Sequence, residues 1–180
     1  MKRVLFVLGC AALFIACSKP QETDTPVSQT PVEPPQAEIG DAKYADIGRQ
    51  GIANLSSGDV DAWMNGFADN AKYYWNGGDS LVGKPAIAAY WKDRRGNVID
   101  QISFANDIWT PLKINRPQKG PDRAGTWLLG WYYVSATYKN GQTMKQWVHT
   151  DMHFDANDKI DVVVQYLDRA PINAALAKKK

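Results

Sequence analysis

The residues that could do chemistry in this chain cluster in the run His149-Thr150-Asp151-Met152-His153 and in the aromatic residues on either side of it. Two histidines four apart on a helix can share one zinc ion. Here the run follows an Asn140-Gly141 turn signal and alternates in polarity, so it predicts a strand instead. On a strand, His149 and His153 share a side but stand roughly 13 Å apart at about 3.3 Å per residue. Zinc requires each ligand at about 2 Å, so the run implies no metal site. Acid–base chemistry is what remains, with His149 and Asp151 as the candidate catalytic pair. No cofactor motif accompanies them.

These side chains must be positioned by a sheet, because from Gln101 onward the sequence has a period of two. Ile102, Phe104, Ile108, Leu112 and Ile114 fall on one face of a long strand, with Asn106 and Thr110 in the same row. Reading Asn140-Gly141 as a two-residue turn pairs Lys139 with Gln142, Tyr133 with Val148, Trp131 with Thr150 and Leu129 with Met152. A further turn at 155–159 then adds Ile160, Val162, Val164 and Tyr166 to the apolar face. In this register Tyr132, Trp147, His149, Asp151, His153 and Gln165 lie on the opposite face. A slip of one residue would turn His149 and Asp151 inward. The Pro/Gly-rich segment 115–125 between strands is longer than a hairpin needs and could cover a pocket.

Upstream, Tyr44, Ile47, Gly48, Gly51, Ile52 and Leu55 recur at helical spacing, so a first helix presents two glycines on its apolar stripe for close approach of a sheet or a ligand. Asp59 is placed to cap a second helix bearing Val60, Trp63, Met64 and Phe67. Lys72 to Trp75 reads as a short strand, and Pro85 opens a third helix with Ile87, Tyr90 and Trp91 that Gly96 closes. The implied class is α+β: three N-terminal helices packed on a mostly antiparallel sheet. Seven Trp and eight Tyr exceed what a core of this size requires. Three accounts remain open: aromatic filling of a diverging core, a carbohydrate-stacking surface, or a ligand cavity. The cavity would be lined by Trp63, Phe67, Tyr73, Trp75, Phe104, Trp131, Tyr133 and Tyr166, with Asn106 and Thr150 orienting the ligand.

The phrases Gly58-Asp59 to Phe67-Ala68-Asp69-Asn70-Ala71 and Val82-Gly83-Lys84-Pro85-Ala86-Ile87 resemble the SnoaL-like branch of the nuclear transport factor 2-like superfamily. The resemblance runs from about residue 42 to 170 and implies a cone-shaped domain with a strongly curved sheet, a pocket, and frequent pairing as homodimers. Such cones host isomerases, dehydratases, hydrolases, binders and assembly modules, so the reaction is not fixed by the likeness. Compared with ketosteroid isomerase, the general-base aspartate position falls on Trp75 and the oxyanion tyrosine position on Gly51. That mechanism is therefore not implied. Other arrangements in the superfamily use a His with an Asp or Tyr inside the cone.

The N-terminus begins Met-Lys2-Arg3, continues as an apolar run from Val4 to Ala16 and meets Cys17 after Phe14-Ile15-Ala16, resembling a bacterial lipoprotein signal. Residues 1–16 are then the signal peptide and Cys17 the lipid attachment site. The run is too short to span a bilayer. Cys17 would be the only cysteine left, which removes intramolecular disulfides and thiol nucleophiles from consideration. Residues 17–40 carry five of the ten prolines and few large apolar side chains, and read as a disordered tether. Residues 41–177 form the domain, and 178–180 a basic tail. Without Lys2 and Arg3, basic and acidic residues are equal in number, so no nucleic-acid field is present. The reading is a protein anchored in the bacterial cell envelope, at the outer membrane, that binds a small, largely apolar molecule and pairs as a homodimer. The alternatives are a lyase, isomerase or hydrolase using the same pocket, or a dimerising scaffold without ligand.

Overall fold

The computed structural model describes residues 33–117 and 123–177. The signal, Cys17, most of the tether, the centre of the 115–125 loop and the basic tail lie outside the described residues. Within them the order is β1 (Ala37–Ile39), α1 (Lys43–Ser57), α2 (Val60–Met64), β2 (Phe67–Trp75), β3 (Ser80–Val82), α3 (Lys84–Asp93), a π-helical turn (Arg94–Val98), β4 (Ile99–Ile114), β5 (Gly125–Tyr138), β6 (Thr143–Phe154), β7 (Ile160–Tyr166) and α4 (Ala170–Leu176). The seven strands form one curved, unclosed sheet in the order β1-β4-β5-β6-β7-β2-β3. Only the β2–β7 pairing is parallel.

The helices form where the sequence pattern puts them. The stripe of α1 buries Tyr44, Gly48, Gly51 and Leu55. The Asp59 carboxylate accepts the Ala62 amide at 2.9 Å and starts α2, while Gly58, at φ 86°, ends α1 in the left-handed region. Pro85 sits in the first turn of α3. That helix does not close at Gly96 but runs on into the π turn, a rare winding that recurs at functional sites. A segment assigned to the tether contributes β1, whose Ala37 and Ile39 pair with Ile114 and Leu112 on the sheet edge. The first strand is longer than expected, beginning at Phe67, and α4 adds a helix beyond the three anticipated.

The expected faces of β4 and β5 need correction. In β4, Asn106 adopts a positive φ of 54° and sits in a bulge between the pairs Ala105–Tyr133 and Ile108–Trp131. The extra residue reverses the alternation, so Ile102 and Phe104 face inward, then Trp109 and Pro111 do, while Ile108 is 56 % exposed. In β5, the turn is one residue longer than assumed. The Tyr138 amide donates to Gln142 O at 2.8 Å, Gly141 sits at φ 80°, and Thr137 pairs with Thr143. Three residues, Lys139 to Gly141, therefore make the turn, and Tyr133 faces Trp147 and Trp131 faces His149 across the ladder. The slip falls on β5 and leaves β6 in its expected orientation. Leu128, Gly130, Tyr132, Val134, Ala136 and Tyr138 look toward the helices, and Leu129, Trp131 and Tyr133 look away. A shift between His153 and Phe154 also turns Val163 and Gln165 inward and leaves Tyr166 outside.

Trp109 joins the two layers. Its ring lies against Gly48 on α1 and Gly130 on β5, where an added Cβ would approach the ring to 2.7 Å and 2.2 Å respectively. Because Trp109 is buried on all sides, it cannot swing away. Gly130→Ala is expected to cost about 1–3 kcal/mol by overpacking. Gly96→Ala, where a Cβ meets nothing within 4 Å, should leave stability within about 0.5 kcal/mol of the parent. Urea denaturation of both variants checks the contrast.

Candidate functional site

Inside the cone, between the concave sheet face and the helices, lies a cavity of about 80 Å³. Its walls are Ile99, Ile102 and Phe104 of β4, Tyr132, Val134, Ala136 and Tyr138 of β5, Met144, Gln146 and Val148 of β6, Gln165 of β7 and Trp75 of β2. Leu55 of α1 and Tyr90, Trp91 and Arg94 from α3 and its π turn complete one side, with Leu167 and Ile172 across the mouth. The helix α4 that carries Ile172 is fastened at both ends. Arg169 pairs with Asp79 at 2.6 Å, and Asn140 Nδ2 donates to Ala175 O at 2.8 Å.

A chain of neutral hydrogen bonds runs along the floor. Trp75 Nε1 donates to Gln165 Oε1 at 3.2 Å, Gln165 Nε2 donates to Thr150 Oγ1 at 3.4 Å, and Thr150 Oγ1 meets the Tyr132 hydroxyl at 2.7 Å. Burial pushes the Tyr132 hydroxyl above its ordinary range, with Thr150 and Gln165 pulling it back. Burial, with the neighbouring Tyr132 and Tyr90 adding to it, pushes Tyr73 well above that range. Neither tyrosine can serve as a base at neutral pH. Gln146 is held by the Asp168 amide, which donates to its Oε1 at 3.0 Å. Among the described residues, the cavity wall holds no Asp, Glu or His.

The expected lining residues divide into three groups. Trp75 and Phe104 are in the wall, and Thr150 is on the same face but 1 % exposed beneath it. Trp63, Phe67 and Tyr73 lie deeper, in an aromatic cluster with Trp91 in which the Trp63–Phe67 and Trp63–Trp91 ring centroids are 4.9 and 5.5 Å apart. Trp63 also borders a second hollow of about 190 Å³ beside Gly51, between α1 and α2. Asn106, Trp131, Tyr133 and Tyr166 do not face the cavity: the bulge exposes Asn106, and the ladder shifts turn the other three to the convex face. Conversely Tyr132 and Gln165, expected outside, belong to the cone. The sequence signal for Tyr132 was the Lys139-Asn140-Gly141 spacing, which also suits a three-residue turn ending in a left-handed glycine, whereas Gln165 turns inward through the β6–β7 shift.

His149 and Asp151 stay on the convex face. The His149 ring is stacked between Trp131 and Tyr166, at centroid distances of 4.5 and 5.5 Å, and its Nδ1 donates to Gly130 O at 3.0 Å. Its Nε2 lies 2.8 Å from Asp151 Oδ1, a charge contact not aligned as a hydrogen bond. His153 is partnered separately: Nδ1 meets Asp161 at 2.5 Å, Nε2 meets Ala124 O at 3.2 Å, and Trp127 packs on the ring at 5.0 Å. Each histidine thus has its own acid and its own tryptophan, and their distance from the cone separates them from the cavity chemistry.

No family model and no curated protein matches this sequence. Solved structures do match. A candidate polyketide cyclase from Xanthomonas campestris pv. campestris superposes with a TM-score of 0.59 at 16 % identity, over 74 % of this chain and 96 % of that one. An LEH-like epoxide hydrolase from M. tuberculosis gives 0.52 at 17 % identity, over 73 % and 86 %. A protein with a ketosteroid isomerase-like fold from Catenulispora acidiphila, in complex with trimethylamine, gives 0.53 at 16 % identity, over 72 % and 91 %. The chain has the nuclear transport factor 2-like fold. In this cone, Trp75 is a wall residue bonded to Gln165, and Gly51 leaves room for the Trp63 indole, whose Nε1 would lie 3.2 Å from an added Cβ.

Burial of Asp151 pushes its carboxyl above the usual range, and His149 only partly pulls it back. A raised folded-state value means that ionising this carboxyl costs stability, a cost absent below the unfolded pKa and complete above the folded one. Asp151→Asn is therefore expected to gain stability over the parent as pH rises from about 4 to 8, and to match it at lower pH. Urea midpoints measured across that range check the direction.

Proposed function

We propose that this protein is a binder of a small, largely apolar molecule held in the cone, not a catalyst acting there. The observation that carries the reading is the wall itself: aromatic and aliphatic on nearly every side, with amides for orientation and no carboxylate or imidazole in reach. A general base must come within hydrogen-bond distance of the proton it removes, and His149 and Asp151 lie on the other side of the sheet. The solved neighbours named as a cyclase and an epoxide hydrolase are consistent with a small-molecule domain of either kind. Their identity to this chain is too low to carry a reaction over.

Ligand binding should raise the melting temperature by mass action. A panel of steroids, terpenoids, quinones and fatty acids is expected to contain a stabilising compound. Ala136→Leu, which fills the cavity from the 4 % exposed Ala136, should abolish the shift while the variant still unfolds cooperatively. A shift that survives Ala136→Leu places the ligand elsewhere.

The second part of the proposal concerns location and assembly. Cys17 with its apolar leader supports lipid anchoring in the bacterial envelope, at the outer membrane, and the convex face supports a homodimer. On that face Trp147 is 52 % exposed, Tyr166 43 % and Ile108 56 %, a concentration of apolar area that solvated monomers seldom carry. Tyr132 and Gln165 are not part of this surface. Native mass spectrometry of the membrane-extracted protein is expected to show an acylated Cys17 at the start of a dimer, and Trp147→Asp should yield acylated monomers. An unmodified start beyond Cys17 defeats the anchor, and a dimer indifferent to Trp147→Asp defeats the interface.

A further inference from the structure

The polar groups around the cone cavity are unevenly matched. On the floor, each donor of Trp75, Tyr132 and Gln165 has an acceptor within the protein. At the α3 side the match is incomplete. Arg94 is half-buried in the wall with its guanidinium engaging the Tyr138 hydroxyl, and among the described residues no carboxylate lies within 4.0 Å of it. Of the neighbouring basic residues, Lys92 pairs with Asp61 at 2.6 Å, and Arg95, which is not a wall residue, donates to Ser56 O and Ile99 O at 3.3 Å while its Nε stays buried without a partner among the described residues. Trp91, on the same wall, has a buried indole N–H without a partner. Buried donors in proteins are paired almost without exception, and the unmatched Trp91 N–H on the same wall as a guanidinium without a carboxylate marks what the occupant should bring.

Helical spacing explains why Arg94 is there. It follows Tyr90 by four residues and Trp91 by three at the end of α3, so all three fall on the cavity side of one helical stretch. A guanidinium is weakly hydrated and planar, so it tolerates a place among Tyr and Trp rings, and its fork matches a carboxylate.

Building on the apolar-binder reading above, we propose that the ligand is an amphipathic acid whose carboxylate is held by Arg94 and whose apolar body enters between Phe104, Tyr132 and Trp75. The cavity supplies cations and donors at one end and rings at the other. A neutral hydrocarbon would leave the Arg94 charge without a counter-charge, and a cationic ligand would be repelled by it. A carboxylate brings the acceptor oxygens and the negative charge that this wall lacks.

The test uses matched probes on the protein: 4-phenylbutyrate, 2-naphthoate and decanoate, each beside its methyl ester, titrated by calorimetry and by melting temperature. The acids are expected to bind about tenfold or more tightly than their esters, as a charge-assisted contact should give. Arg94→Gln should remove that preference while ester binding stays, and Arg94→Lys should keep part of it. Should Arg94→Gln unfold, the salt series on the parent decides: acid affinity must fall with ionic strength and ester affinity must not. Esters that bind as well as the acids overturn the carboxylate assignment and leave the apolar site standing. If neither acids, esters nor the wider panel bind, the cavity reading and this inference fall together.

Discussion

The seating of Trp109 against two glycines holds the layers of this protein together. A tryptophan can lie flat between a helix and a sheet only where both backbones lack a Cβ at the contact, and Gly48 and Gly130 provide that on α1 and β5. The indole N–H is satisfied locally by Asp107 at 2.7 Å, so burial of the ring leaves no polar group unmatched. The bulge at Asn106 is what brings Trp109 inward at all. One irregular residue thus determines where α1 sits, and α1 in turn closes the inner end of the cone with Leu55.

From that anchor the chemistry of the two sheet faces separates. The concave face carries neutral polar groups paired among themselves and a cluster of rings, with Arg94 as the charge at the cavity wall. The convex face carries both histidines, each with an acid, and the exposed tryptophan. Ionisable groups are much less costly where water can still reach them, and the concave face, shut in by α1, α3 and α4, is where an unpaired carboxylate would be least tolerated. The same separation keeps His149 and Asp151 away from the cavity, and the proposed binding of an apolar body with an acceptor head rests on it.

Three of the four helices were legible from local rules, though not the π turn that carries α3 past Gly96. Asp59, Gly58 and Pro85 act on the few residues next to them, and the glycine-bearing stripe of α1 needed only a count of helical spacing. The α+β class followed from these together with the alternation after Gln101, and the cone from the resemblance of the Gly58–Ala71 and Val82–Ile87 phrases. Of the site, Trp75 and Phe104 were identified because each lies in a stretch whose alternation is unbroken up to that point. Trp131, Tyr133, Tyr166 and Asn106 were placed on the wrong face, and in each case the cause was a single extra residue: in the Lys139–Gly141 turn, at the β6–β7 shift, or in the β4 bulge.

Sequence alone determined α1, α2, the start of α3 and the strands after Gln101, since capping and periodicity are properties of neighbouring residues, but it showed neither β1, β3 and α4 nor the start of β2 at Phe67. Tertiary structure decided which side of each strand meets the helices, because a strand's two faces differ by one residue and only pairing with its neighbours fixes that residue. It also decided that Arg94, Tyr138 and Gln165 share a wall. They come from a helix end, a hairpin and a last strand far apart in sequence, and nothing local to any of them specifies the others.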